Sequence, residues 1–228
     1  MRFTPASPLS PRPGSFRVYP AFPFMSRPRP VLALLLFSLL PSLLSAAPPR
    51  AWLDPAAIVT GSERAYVALS GTNALAVVDL DRERLAATWP RPGPPTGRAL
   101  GPGGRQLAVT LGETQGALAL VDARTGTLDQ SFPAGFSPVS PVFVDGDTLA
   151  VCQRFTGTVA LYARGSGERL AAIPVTREPV AAVLGPDGQH LFVANLLPGQ
   201  AATAAHVAAV IDVIDLAARV RVTSIPLP

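Results

Sequence analysis

Short apolar runs grouped in fours, a unit that returns about every forty residues, and turn residues at a fixed phase of that unit together predict an all-β chain. The arithmetic is that of a β-propeller built from four-stranded antiparallel blades, with four blades present. The anchor runs are Arg64-Ala-Tyr-Val-Ala-Leu69, Arg105-Gln-Leu-Ala-Val-Thr110, Asp147-Thr-Leu-Ala-Val-Cys152 and Gln189-His-Leu-Phe-Val-Ala-Asn195. Taken on Tyr66, Leu107, Leu149 and Leu191, they lie 41, 42 and 42 residues apart.

Each anchor is preceded by a lead-in run, at Ala57–Thr60, Arg98–Leu100, Val142–Val144 and Val180–Leu184. Each is followed by a second apolar run: Ala74–Asp79, Ala117–Asp122, Thr158–Ala163 and Ala209–Asp215. A last run closes the unit at Arg84–Trp89, Thr127–Phe132, Arg169–Ile173 and Arg219–Ile225. Runs this short, rich in aliphatic and β-branched residues and bounded by Gly, Pro and Asp, are strands rather than helices. Gly101-Pro-Gly-Gly104, Asp145-Gly-Asp147 and Pro186-Asp-Gly188 all fall between the first and second strands, where residues that accept positive φ make tight hairpins. The blades expected are about 55–97, 98–138, 139–178 and 179–228.

Among the 228 residues, 48% are hydrophobic and 15% charged, enough apolar material for a core and too little charge for a disordered chain. All 19 basic residues are Arg, which excludes a Schiff-base lysine, a phosphate-loop lysine and a Ser/Lys pair. The formal net charge of +4 raises the question of nucleic acid, and the position of the charges answers it. Residues 1–47 carry five Arg and no acid, leaving 14 Arg against 15 acids and a formal net of −1 for the rest, so no nucleic-acid partner is expected.

The basic leader reads as an export signal. Arg27 and Arg29 precede the apolar run Val31–Leu40, and the small residues Ser45-Ala-Ala47 follow. Counted from Met25 the signal has its usual length, over 25–47, and residues 1–24 are then a disordered prefix or lie ahead of the true start. This signal segment is the one membrane contact expected, and the location implied is periplasmic, secreted or at the cell surface.

Pro186-Asp-Gly-Gln-His-Leu-Phe-Val-Ala-Asn195, Val213-Ile-Asp215 and Val222-Thr-Ser-Ile-Pro226 together resemble the YVTN β-propeller repeat, and the other units match it more loosely. The resemblance spans about residues 55–228 and implies an exported protein, akin to surface-layer-type and lactonase-like propellers and to the haem-binding propeller of nitrite reductase. It also implies a ring of seven blades. Four blades of that geometry make an open arc with two uncovered faces, which points to part of a larger propeller or to self-association, with a compact four-bladed ring as the other solution.

The candidate chemistry is sparse. Asp79, Asp122 and Asp215 end the third strands at one phase, and with Asp187 and Gly188 they are read as structural turn residues. His190 is read as a strand side chain. Cys152, the single cysteine, is read as a buried, inert thiol; Arg154, Arg177 and Glu178 flank the third blade, where they could line one face of the assembly, and are read as surface charges. The fourth unit carries an insertion of about ten residues, Leu196–Val207, relative to the other units, which reads either as a tolerated lengthening that costs little in closure entropy or as a binding surface, which extra length in one loop of an array often marks. The candidate binding residues are Asn195, Leu196, Leu197, Pro198, Gln200 and His206. No motif calls for a cofactor, a metal or a catalytic group, and Cys-x-x-Cys-His for covalent haem is absent from the sequence. Two functions fit these readings: a non-catalytic scaffold for a protein or cell-envelope partner, and an enzymatic or redox-accessory role, lactonase-like or beside a cytochrome-peroxidase-like haem domain.

Overall fold

The computed structural model describes residues 52–112, 114–200 and 209–227, all within the unit Arg50–Pro228. The prefix 1–24, the signal 25–47 and His206 lie outside the described residues. Sixteen strands form four sheets of four, each antiparallel and in simple chain order. The first sheet holds β1 (Pro55–Thr60), β2 (Arg64–Leu69), β3 (Ala74–Asp79) and β4 (Arg84–Pro90). The second holds β5 (Pro95–Leu100), β6 (Gln106–Leu111), β7 (Gln115–Asp122) and β8 (Leu128–Phe136). The third holds β9 (Pro138–Phe143), β10 (Thr148–Gln153), β11 (Thr158–Ala163) and β12 (Arg169–Pro174). The fourth holds β13 (Pro179–Leu184), β14 (His190–Asn195), β15 (Val210–Asp215) and β16 (Val220–Pro226). These are the expected blades of a β-propeller.

Every first strand begins with a proline, at Pro55, Pro95, Pro138 and Pro179, where the missing N–H costs no ladder bond. A register shift near that proline bends each of these strands. β5 starts at Pro95, three residues ahead of the lead-in run at Arg98, because Thr96 and Gly97 belong to the strand although neither looks apolar.

Register corrects the phase of the first blade. The second strands begin opposite the ends of the third at Arg64↔Asp79, Gln106↔Asp122, Thr148↔Ala163 and His190↔Asp215, a period of 42 each time. Ala65, not Tyr66, is therefore the counterpart of Leu107, Leu149 and Leu191. A slip of one residue changes the face. Leu107, Leu149 and Leu191 pack toward the preceding blade, whereas Tyr66 packs toward the following one and donates its hydroxyl to the Ala123 carbonyl at 2.8 Å.

Three apolar clusters join successive blades, and their most buried members are Leu75, Leu107 and Val121 in the first, Leu118, Leu149 and Val151 in the second, and Val159, Leu191 and Ile214 in the third. Among the described residues no apolar cluster joins the fourth blade to the first, so the described blades form an open arc. Gly126 and Gly167 hold φ of +77° and +72° in the turns after β7 and β11, with Trp89 and Phe132 of the blade before lying on them. A Cβ at these positions would meet those rings at 2.3 and 2.6 Å. Of the three hairpin turns read from the sequence, the one at Asp145-Gly-Asp147 needs no left-handed glycine, since Asp145 Oδ1 accepts the N–H groups of Asp147 and Thr148.

Candidate functional site

The arc has two rims, and the residues singled out in the sequence divide between them. On the rim where third strands end, Asp79 accepts the Arg82 N–H at 2.8 Å, Asp122 the Thr125 N–H at 2.7 Å and Asp215 the Ala218 N–H at 2.8 Å. These backbone donors hold the carboxyls of Asp79 and Asp122 below the usual carboxylate range. On the same rim Asp187 Oδ1 accepts from Gln189 N and His190 N, its Oδ2 lies 2.6 Å from His190 Nδ1, and Gly188 takes φ +66°. The His190 ring first, then those two N–H groups, hold the Asp187 carboxyl down to about 2.

The other rim carries the long β14–β15 connection. Asn195 is the last residue of β14 and is buried, and its counterparts are Leu69 and Leu111 in the first two blades and Gln153 in the third. Both polar residues close the end of a blade by hydrogen bonding. Gln153 donates to the Ala134 carbonyl at 2.8 Å and accepts from Thr158 Oγ1 at 2.8 Å. Asn195 Nδ2 reaches the carbonyls of Val193 and Val210 at 3.2 and 3.3 Å, and Asp212 Oδ2 at 3.1 Å.

Asp212 is the feature that sequence reading missed. Its side chain is fully buried on β15, at the junction of the third and fourth blades. It accepts from Thr176 N at 2.6 Å, Thr176 Oγ1 at 3.0 Å and Ser224 Oγ at 2.5 Å, besides Asn195, with Arg221 NH1 at 3.5 Å. A carboxylate taken out of water needs this density of donors. The signal was available: Asp212 shares the strand parity of Val210 and Ile214, so period 2 places an acid on a buried face. Only Asp215, at the turn phase, attracted notice.

The Asp212 staple fixes both stems of the long connection to the segment leaving β12. Leu196 N donates to the Glu178 carbonyl at 2.9 Å and Leu197 N to that of Arg177 at 3.4 Å. Beside these stems lies a hollow of about 450 Å³ lined by Arg154, Phe155, Thr156, Arg177, Glu178 and Leu197. Arg154 Nε and NH2 both donate to Glu178 Oε2, at 3.1 and 3.0 Å, and the guanidinium sits 5.2 Å from the centre of the Phe155 ring. Phe155 is 63% exposed, an aromatic at the mouth of a polar hollow. Leu196 and Gln200 are exposed and Pro198 half-buried along the same stem. The structure thus gathers Arg154, Arg177 and Glu178 with the foot of the inserted loop, and leaves Asp79, Asp122, Asp187, His190 and Asp215 on the opposite rim.

Cys152 lies fully buried on β10, and burial pushes its thiol up to about 12. Among the described residues no three His, Cys, Asp or Glu side chains are grouped to hold a metal ion.

No protein-family model matches the chain, and no curated protein matches it in sequence. Among solved structures it is similar to hydrazine synthase of Kuenenia stuttgartiensis, with a TM-score of 0.66 and 17% identity over 81% of this chain and 52% of that one. The chain thus spans about half the length of that neighbour, and at this identity the likeness concerns the fold.

Proposed function

We propose that this is an exported β-propeller repeat protein of YVTN type, acting as a binding scaffold toward a protein or other cell-envelope partner. Its recognition surface is the rim that carries the β14–β15 connection. One observation carries the reading. The stems of the longest connection are pinned by a buried carboxylate beside a hollow that offers an exposed aromatic, an arginine–glutamate pair and Arg177. A rigid base under an extended loop is the arrangement by which repeat arrays present variable contacts at low ordering cost. Phe155 and Arg154 are also of the residue types enriched at protein–protein interfaces.

Export is supported by the basic, apolar and small-residue segments of 25–47 in sequence. The test is capture from the producing cell's own envelope extract by the chain, by F155S/R177E, and by a control altered at Glu83 in the first blade. A species retained by the chain and the control and lost by F155S/R177E is the expected result. Equal retention by all three removes the rim from consideration. N-terminal sequencing of the exported chain checks the leader, with a start near Pro48 expected and an intact Met25 refuting cleavage.

A further inference from the structure

The four first strands, β1, β5, β9 and β13, line the inner side of the arc and border an open axial cavity of about 590 Å³. Its walls are Ile58, Val142, Val183 and neighbouring small or apolar residues, with Ile58 and Val183 more than half exposed. Among the 24 residues of these strands one is charged, Arg98. The same place in the other blades holds Ile58, Pro141 and Ala182, so the repeat itself does not require a cation there.

Nothing described pairs with Arg98. Its Nε is buried without an acceptor, and no carboxylate lines the cavity. Arg91 makes the contrast: it too has a bare Nε, but its NH2 donates to the Gly126 carbonyl at 3.0 Å and ties two blades together. Burial alone pushes the Arg98 guanidinium down to about 10, with no neighbouring acid to hold it up. Arg98 is half-buried, and the part of its guanidinium that lies out of water, Nε, has no acceptor, a cost that a bound anion would reduce.

We propose that the axial cavity binds an amphipathic monoanion, a carboxylate on a medium-length hydrocarbon body, with Arg98 gripping the carboxylate and Ile58, Val142 and Val183 covering the hydrocarbon. The guanidinium fork matches a carboxylate bidentately. One cation in an apolar lining balances one negative charge, and a phosphate dianion would carry a second into low dielectric unpaired. The volume suits a small ligand in the ordinary range of such sites, about 300–1,000 Å³.

The experiment is calorimetric titration of the full chain with decanoate, decanol and inorganic phosphate, repeated on R98M and R98K. Decanoate is expected to bind the chain, to bind R98M about tenfold or more weakly, and to keep most of its affinity for R98K. Decanol should bind the unaltered chain at least about tenfold more weakly than decanoate, and phosphate should not compete. Equal decanoate affinity for the chain and R98M overturns the proposal, as does phosphate binding as tightly as decanoate, or decanoate failing to bind at millimolar concentration. Should R98M not fold, the decanoate–decanol difference on the unaltered chain and the R98K titration decide the matter alone.

Discussion

Replacing Asp212 by alanine is expected to destabilise the chain by about 3–5 kcal/mol, and the figure follows from which donors can recover. Arg221 is partly exposed and turns to water, and the hydroxyls of Thr176 and Ser224 rotate. Thr176 N–H, 2.6 Å from the carboxylate, is fixed by the backbone and cannot re-aim. Stranding it costs roughly 1–3 kcal/mol, and losing the charge-assisted bonds from Asn195 and Ser224 adds a comparable amount. Relief of carboxylate burial offsets part of this, which keeps the sum within that range. Asp212→Asn retains one acceptor oxygen while turning an amide NH2 toward the remaining donors, so an intermediate loss is expected. Urea unfolding followed by the fluorescence of Trp89 gives the values, and limited proteolysis reports whether the 196–209 connection loosens first. A D212A chain within about 1 kcal/mol of the parent, with unchanged cleavage in that connection, would show that the staple does not hold the rim.

Other expectations follow from single positions. Gly126→Ala should cost about 2–4 kcal/mol, since the left-handed φ alone accounts for roughly 1–2 and Trp89 must also move. Gly93→Ala, with open space around it, should change stability by no more than about 0.5 kcal/mol, and equal losses at the two sites in urea would refute the Trp89 contact. The raised thiol of Cys152 gives a pH dependence of known sign: its contribution is complete below pH about 9 and is lost as pH climbs toward 12, at about 1.4 kcal/mol per unit. C152A should lack that part of the alkaline slope, and an unchanged slope contradicts it. Asp187, with its lowered value, contributes stability above pH about 4 that disappears as pH falls toward 2. A carboxyl-carbon NMR midpoint near 2 is expected for it, rising in H190A, and a midpoint of about 4 in the parent chain would dispose of the His190 contact.

The blades were legible because turn chemistry and apolar runs recur together, and each signal constrains the other. The phase of the first blade was not. Tyr66 resembles Leu107 in bulk, yet Asp79 fixes the register opposite Arg64 and turns Tyr66 to the other face. Bulk is a weaker guide to register than the acid that closes the hairpin. The inserted loop was legible by its length alone. The hollow beside it was legible only as charges flanking the third blade, without Phe155, because Arg154 and Phe155 come from the turn after β10 while Arg177 and Glu178 come from the segment after β12. Their meeting depends on how the third blade stands against the fourth, which no local pattern encodes.

The uncovered faces lead to the last prediction. Phe192, Ile211 and Ile225 occupy the places held by Tyr66, Leu75 and Trp89 in the first blade, where the second blade packs on them. Ile225 is 44% exposed on this face, and Leu85 is 60% exposed on the first blade. The two faces are therefore the two halves of the interface that the chain already makes three times within itself. A second copy presenting its first blade to the fourth blade of its neighbour satisfies both, and such head-to-tail contacts close into a ring or extend into a filament according to their rotation. Light scattering should accordingly show mass rising with concentration, and F192K/I225E should abolish the rise while leaving the strand content unaltered. A chain that stays monomeric and melts cooperatively would mean that these faces tolerate water, and the repeat's own interface would then be no guide to how the chain assembles.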